Sequence, residues 1–198
     1  EDSRGILWFS SMGGGADKIE LNDDNSTIEI IYTFNSKTGL VNDEVWNMIE
    51  DYEGNLWISI NGAGVAMYQG SRFTSFTETE GIANNTVFSI LEEKPGKYWF
   101  ATYGGGISIY DTSLPEGKRF SVIDKSKGLP ENYIYSIYPD KKGNYWMATR
   151  GVGITVYDGK SYKTYGTNEG LNSNFALGAT EDMHGNIWVG TQRGLSKF

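Results

Sequence analysis

The chain has 198 residues, enough for one domain with a sizeable core, and a formal net charge of −8. An acidic chain without a Lys/Arg cluster is unsuited to nucleic acid or to an anionic membrane, because both need a concentrated basic surface. The absence of cysteine excludes disulfides and thiolate chemistry, and no apolar run approaches the ~20 residues that span a bilayer.

One phrase occurs five times along the chain, and every copy carries a tryptophan. The five residues are Trp8, Trp57, Trp99, Trp146 and Trp188, with spacings of 49, 42, 47 and 42 residues. Periods of about 40–50 residues with strand-like segments are typical of β-propeller blades, each of which is a four-stranded sheet. The sequence therefore predicts an all-β fold of the propeller class.

A complete copy predicts the same elements in the same order. An apolar run, such as VWNMI from Val45, gives the innermost strand. An acid three residues before a glycine, as in Asp51 and Gly54, predicts a hairpin turn that the carboxylate caps, although Glu93 suits this role less well. The tryptophan strand, a glycine-rich loop and two outer strands follow. A linker such as GLVND from Gly39 leads to the next blade.

The first copy lacks an innermost strand and the last lacks an outermost one, which leaves 18 strands or about 4.5 blades. We predict blades at residues 1–39 (partial), 40–81, 82–128, 129–170 and 171–198 (partial). Because the two ends do not complement each other, we expect an arc cut from a larger ring and a fragment of a longer protein. Insertions at residues 16–27 and 112–118 are expected in outer hairpins, and the glycosylation sequon at Asn25 is not expected to be used.

The segment GLVNDEVWNMIEDYEGNLWISINGAGVAMY from Gly39 resembles the two-component regulator propeller repeat. The segment GLNSNFALGATEDMHGNIWVGTQRGL from Gly170 is similar to the same repeat. In both, the GL–N, ED–GN–W and glycine-loop elements keep their order. Departures include Glu93 and Pro95 in the third turn and Pro139 in the fourth.

The resemblance implies a periplasmic sensor region of a hybrid two-component histidine kinase of the Bacteroides type, built from seven-bladed propellers. Such proteins act in signal transduction and phosphorelay, and many sense carbohydrates as oligosaccharides. Their kinase and DNA-binding modules are not part of this sequence. The resemblance thus implies a segment without enzymatic activity, cofactor or direct membrane contact, and with an oligosaccharide or other small molecule as its partner.

Loops between blades and loops between second and third strands meet at one face of a propeller, where ligands bind. Residues that differ from blade to blade are the better candidates, because a scaffold preserves symmetry and a ligand breaks it. They are Trp46, Tyr103, Tyr133, Tyr135, Arg150 and Arg193. Aromatic rings and polar groups suit a sugar. The recurring Asn42, Asn84, Asn132 and Asn172 are explained by turn capping, and the five repeated tryptophans by packing between blades.

Two other functions stay open on sequence grounds. The chain can be a purely structural or dimerisation segment whose ligand binds elsewhere, with self-association through exposed blade faces and strand edges. A propeller glycosidase or lyase is less favoured. A glycosidase needs two converging carboxylates, whereas Asp43, Glu44 and Glu131 show no pairing. His184 is the only histidine, and one acid per turn is too few for calcium, so no metal site is expected.

Overall fold

The computed structural model describes residues 1–21 and 28–198. Residues 22–27, which include Asn25 and the second half of the insertion at 16–27, lie outside the described residues. The described residues form 18 strands in five antiparallel sheets, with three strands in the first and last sheets and four in each of the others. This confirms the predicted all-β arc of propeller blades.

The strands follow the chain from sheet to sheet, and within each sheet every strand pairs with its neighbour in sequence. The first sheet contains β1 (Leu7–Ser11), β2 (Gly15–Leu21) and β3 (Ile28–Phe34). The second contains β4 (Val45–Glu50), β5 (Leu56–Ile60), β6 (Gly64–Tyr68) and β7 (Phe73–Phe76). The third contains β8 (Val87–Lys94), β9 (Lys97–Thr102), β10 (Ile107–Asp111) and β11 (Phe120–Ile123). The fourth contains β12 (Ile134–Pro139), β13 (Tyr145–Thr149), β14 (Ile154–Tyr157) and β15 (Tyr162–Tyr165). The fifth contains β16 (Ala176–Glu181), β17 (Ile187–Thr191) and β18 (Gly194–Lys197). Short 3-10 turns at Lys125–Lys127 and Thr167–Glu169 precede two of the linkers.

The hydrophobic core is divided into four clusters, one at each junction between successive sheets. At the junction of the second and third sheets, Trp57 and Phe76 pack against Tyr98 and Phe100. Trp57 is only 1% exposed, and its ring centroid lies 4.2 Å from that of Tyr98 in the next sheet. The three middle sheets each pack against a neighbour on both faces, and the first and fifth against one, so side-chain packing holds the blades to one another.

The acid of each hairpin turn also binds the tryptophan of its own blade. Asp51 accepts the backbone N–H groups of Glu53 and Asn55, at 3.1 and 2.8 Å, and the indole N–H of Trp57 at 2.7 Å. The equivalent carboxylate–indole distances are 3.1 Å for Asp2–Trp8, 3.0 Å for Glu93–Trp99, 2.9 Å for Asp140–Trp146 and 2.9 Å for Asp182–Trp188. Glu93 keeps the indole contact, but the turn amide of Gly96 donates to Glu92 instead.

The linkers tie each blade to the one before it. The carbonyl of Asn132 accepts the N–H of Gly106 at 2.9 Å, and its side-chain oxygen accepts the N–H of Lys125 at 2.8 Å. Asp43, Asn85 and Asn174 make the corresponding contacts in the other linkers. Asn42 and Asn84 accept the N–H two residues further on, and Asn172 donates to the carbonyl of Leu195. The recurring asparagines therefore have structural roles.

The innermost strands β4, β8, β12 and β16 lie in succession, each in contact with the next, and β1 contacts β4. They form the wall that faces the propeller channel. Within residues 1–21 and 28–198, no helix has the length and apolar character needed to cross a membrane.

Candidate functional site

Each of the four innermost strands has a β-bulge near its first residue. The register with the second strand shifts around Trp46, Phe88, Tyr135 and Leu177, so these four residues occupy equivalent positions in successive blades. A bulged residue leaves the hydrogen-bond ladder and its side chain is redirected. Here the bulges bring large apolar side chains from four blades onto one surface.

The rings at these positions contact one another across the blades. The ring centroids of Trp46 and Phe88 are 5.1 Å apart, and those of Phe88 and Tyr135 are 5.0 Å apart. Tyr135 then lies 5.2 Å from Phe175, which directly precedes β16. We call Trp46, Phe88, Tyr135 and Phe175 the aromatic belt. Such spacings are typical of paired aromatic rings, and the pairing fixes their orientation.

Two tyrosines join the belt from the loops. Tyr103, in the loop between β9 and β10, pairs through its backbone with Tyr133 in the linker before β12. Their rings are 4.8 Å apart, and the ring of Tyr103 lies 5.8 Å from that of Phe88. Both tyrosines are more than a third exposed, at 38% and 36%. The loops thus extend the belt towards solvent and add two phenolic hydroxyl groups.

Arg150 lies among these rings, in the loop between β13 and β14. Its guanidinium carbon is 5.7 Å from the ring centroids of Tyr103 and Tyr133 and 6.0 Å from that of Phe175. One guanidinium N–H donates to the Tyr103 hydroxyl. Contacts with three rings hold the cation in place by cation–π attraction. Among the residues that the structure describes, no carboxylate oxygen lies within 4 Å of this guanidinium.

A cavity of about 600 Å³ opens over the belt. It is lined by Trp46, Asn61, Thr86, Phe88, Tyr103, Tyr135 and Leu177. Its volume falls in the range of about 300–1,000 Å³ that small-molecule sites occupy. Burial raises the pKa of Tyr135, so its hydroxyl stays protonated and available as a donor at neutral pH. The arrangement offers ring faces for stacking and a few polar groups for hydrogen bonds.

Five of the six residues predicted from the sequence come together at this site: Trp46, Tyr103, Tyr133, Tyr135 and Arg150. Arg193 lies in the turn between β17 and β18, where its N–H donates to Thr191, and no contact with the belt is present in the described part of the chain. Sequence reasoning missed Phe88, Phe175 and Leu177. Phe88 follows Val87 as Trp46 follows Val45, and this shared position is the signal that would have found it.

The carboxylates of the linkers, which sequence analysis considered as catalytic acids, bind neighbouring groups of the protein. Asp43 accepts the N–H of Ser36 at 2.5 Å, and Glu44 accepts the side-chain amide of Asn61 at 2.6 Å. Glu131 binds Lys125 at 3.0 Å. Burial raises the pKa of Glu131, but this ion pair and two backbone N–H groups lower it by more, so the carboxylate is ionised. Within residues 1–21 and 28–198, no group of three acidic or histidine side chains is placed to hold a metal ion.

Solved structures share this fold. The extracellular domain of a protein described as the hybrid two component system BT4673 of B. thetaiotaomicron matches with a TM-score of 0.76 and 23% identity, over 100% of this chain and 28% of that one. The extracellular domain of BT3049 of the same organism matches at 0.63 and 23%, over 100% and 32%. A streptogramin B lyase matches at 0.70 and 18%, over 100% and 66%. At these identities the likeness establishes the propeller fold, and the chain spans less than a third of the two extracellular domains.

The repeat itself assigns the family. The family model named two component regulator propeller matches residues 39–62, 81–104, 128–151 and 170–193, one match per linker and inner hairpin. No curated protein sequence matches the chain. The four matches recur once per blade and follow the strand order of the structure, so the chain belongs to the two component regulator propeller family.

Proposed function

We propose that the chain is a sensor segment of the extracytoplasmic, periplasmic region of a hybrid two-component histidine kinase. In this role it binds an oligosaccharide over the aromatic belt and transmits the binding event through the propeller. Family membership supports the two-component assignment. Two similar structures are extracellular domains of proteins described as hybrid two component systems, which supports the location.

The observation that carries the ligand class is the belt with its open cavity. Trp46 is 37% exposed and Tyr103 is 38% exposed, so ring faces are accessible to solvent although neighbouring rings fix them. Sugar rings present C–H groups that pack on aromatic faces and hydroxyls that bond to amides and phenols. Asn61 and Thr86 line the same cavity and supply polar atoms beside the rings.

The position of the belt also suits signal transmission. Trp46, Phe88, Tyr135 and Phe175 belong to or directly precede the innermost strands of four successive blades. A ligand that touches several of them binds best to one relative arrangement of those blades, and so shifts the population towards that arrangement. Catalysis is not part of the proposal, because the linker carboxylates bind neighbouring groups and His184 is exposed in a hairpin turn.

The test is a glycan-array screen followed by calorimetric titration of the best ligand against two belt variants, Trp46→Ala and Phe88→Ala. Each is expected to weaken binding about tenfold, because a stacking surface is lost. Tyr52→Ala is the matched control, since Tyr52 is 74% exposed in a hairpin turn and is absent from the cavity lining.

The same experiment distinguishes the sensor function from a second candidate function, that of a structural segment whose ligand binds elsewhere. That function is favoured by side chains that join blades, such as Asn132, which accepts the N–H of Lys125, and Asp51, which accepts the hydroxyl of Tyr98. It predicts that folded protein binds no member of the array. It also predicts that any weak binding is equal in the wild type, both belt variants and the control. Either result would overturn the sensor proposal for this segment.

A further inference from the structure

We propose that the belt is selective for an acidic oligosaccharide, whose carboxylate or sulfate group pairs with Arg150 while an adjoining sugar ring stacks on the belt. This inference rests on the proposed function and specifies its ligand class. It is carried by the state of the Arg150 side chain, by the charges around it and by its position relative to the rings.

Arg150 keeps most of its hydrogen-bonding capacity unused. A guanidinium has five N–H donors, and among the residues that the structure describes Arg150 makes one side-chain hydrogen bond, to the Tyr103 hydroxyl. The residue is exposed, and the three surrounding rings offer no anionic acceptor. A guanidinium with a free edge matches a carboxylate or sulfate, since two parallel N–H···O bonds then form at once.

The surrounding rings preorganise the Arg150 side chain for binding an anion. The ring centroids of Tyr103, Tyr133 and Phe175 lie 5.7–6.0 Å from the guanidinium carbon of Arg150. A long side chain normally loses conformational freedom when it pairs with a ligand, and that loss reduces affinity. Here much of the ordering already exists in the ligand-free protein. Arg150 therefore pairs with an anion at a lower entropic cost than a mobile surface arginine.

The charge pattern near the site favours an anion at this end of the belt. Arg150 and Arg193 lie in equivalent loops of the fourth and fifth sheets, and both carry positive charge in a chain of net charge −8. Glu44 lies two blades away, where its carboxylate accepts the Asn61 amide. Glu131, in the linker before Tyr133, is neutralised by Lys125. At physiological ionic strength the Debye length of about 8 Å screens the more distant acids.

The aromatic belt connects Arg150 with the cavity through successive ring contacts. Phe175 contacts both the guanidinium and Tyr135, and Tyr135 contacts Phe88, which lines the cavity with Trp46. A ligand anchored by its anionic group at Arg150 thus has ring faces within reach of its next sugar unit. An isolated anion would use only the ion pair with Arg150, and a neutral sugar would use only stacking on the rings. The combination selects an oligosaccharide that carries both.

The test uses matched pairs of oligosaccharides on the full 198-residue chain. Each uronate-containing or sulfated oligosaccharide is titrated beside its methyl-esterified or desulfated counterpart, so the sugar backbone stays constant. We expect the acidic member of at least one pair to bind about tenfold tighter or more, as charge-assisted hydrogen bonds allow. The carboxylate and sulfate pairs together show which anion the site accepts.

Arg150→Gln is expected to remove the preference for the acidic member, so that the two members of each pair bind within about twofold of each other. Arg150→Lys keeps the charge without the two-pronged geometry, so it should retain only part of the preference. Arg72→Gln is the control, because it makes the same charge change in the outer turn between β6 and β7. Thermal melting of each variant confirms folding.

The outcomes separate this inference from the function on which it rests. Binding of neutral oligosaccharides through Trp46 and Phe88, with no acidic preference in any pair, overturns the inference and leaves the sensor function intact. An acidic preference that persists in folded Arg150→Gln also overturns it. Absence of binding by every oligosaccharide overturns both.

Discussion

At the scale of single residues, Asp51 connects a hairpin turn to the core between two blades. It is 5% exposed and accepts the indole N–H of Trp57 and the hydroxyl of Tyr98, at 2.7 and 2.9 Å. Burial by itself would raise its pKa, but hydrogen bonds from Asn55, Trp57 and Tyr98 outweigh burial and lower the pKa. Tyr98 belongs to the next sheet, so this one carboxylate links two blades.

Asp51→Asn is expected to lower the free energy of unfolding by about 2–4 kcal/mol. Trp57 and Tyr98 donate to one carboxylate oxygen, and the backbone N–H groups of Glu53 and Asn55 donate to the other. An amide has only one acceptor oxygen, so its NH2 group must face one of these two sets of donors. Urea denaturation measures the change. Glu53→Gln, at an exposed position of the same turn, is the control and should change stability by less than about 0.5 kcal/mol. Equal effects of the two substitutions would refute this account of Asp51.

The same carboxylates predict how stability depends on pH. The pKa values of Asp2, Asp51, Asp140 and Asp182 are all lowered in the folded protein. In Asp182 the bonds from Trp188 and Asn186 are the main cause, whereas in the other three hydrogen bonds overcome an opposing effect of burial. A lowered folded pKa stabilises the protein above the unfolded pKa, which is about 3.9.

We therefore expect the free energy of unfolding to be nearly constant from about pH 7 to pH 5 and to fall as the pH drops below about 4. Urea midpoints measured across this range test the prediction. Asp140→Asn should give a shallower decline, because one of the linked groups no longer titrates. An unfolding free energy that rises towards acid pH would contradict the assignment.

At the scale of elements, one glycine position explains why the loops before the third strands are glycine-rich. Gly106 has a φ of +81°, and a Cβ placed on it would lie 2.3 Å from the carbonyl oxygen of Ile123 in the fourth strand. Gly15, Gly64 and Gly153 have the same close approach at 2.0–2.2 Å. A side chain there would collide with backbone, so the glycines are required by strand packing.

Gly106→Ala is expected to destabilise the protein by more than about 2 kcal/mol, because it combines backbone strain with a steric clash. Gly117→Ala is a matched control. Its φ is also +81°, but no atom lies within 4 Å of the position of a Cβ, so only about 1 kcal/mol of strain should appear. Thermal and urea denaturation of both variants measure the difference. Equal losses would show that φ alone sets the cost.

The elements also show where prediction from the sequence fails. The strands, the turns and the linkers were predicted correctly because each depends on local spacing and on residues with fixed conformational preferences. The bulges at Trp46 and Phe88 were not predicted, since a bulge depends on the register between two strands. Phe88 has the same sequence position in its strand as Trp46, but only the packing of the blades shows that the two rings share one surface.

At the scale of the whole molecule, the first sheet exposes several large apolar side chains. Phe9 in β1 is 53% exposed and Met12, directly after β1, is 65% exposed, while Ile30 and Tyr32 on β3 are 57% and 45% exposed. β1 is also an edge strand, because the order of the sheet is β1-β2-β3. Edge strands with exposed apolar side chains are prone to pair with another chain.

We expect the 198-residue chain to self-associate through this sheet, in a manner that depends on concentration. Phe9→Lys should weaken the association, because an edge charge must be desolvated when strands pair. Met183→Lys is the control. It adds the same charge at a residue that is 85% exposed but lies in the hairpin turn between β16 and β17, away from the first sheet. Sedimentation velocity over a wide concentration range measures both. A monomer at every concentration would rule out self-association.

The sequence by itself determined the repeat, its family and the order of the strands. These depend on spacings of about 42–49 residues and on turns formed by a few neighbouring residues. It also indicated Arg150 and Tyr103 as residues that break the repeat. Only the tertiary structure decided that Arg150 lies among rings from the third, fourth and fifth sheets, and that Trp46 and Phe88 belong to one surface. These contacts join residues of different blades, and they form only when the packing of the blades fixes their separation and rotation.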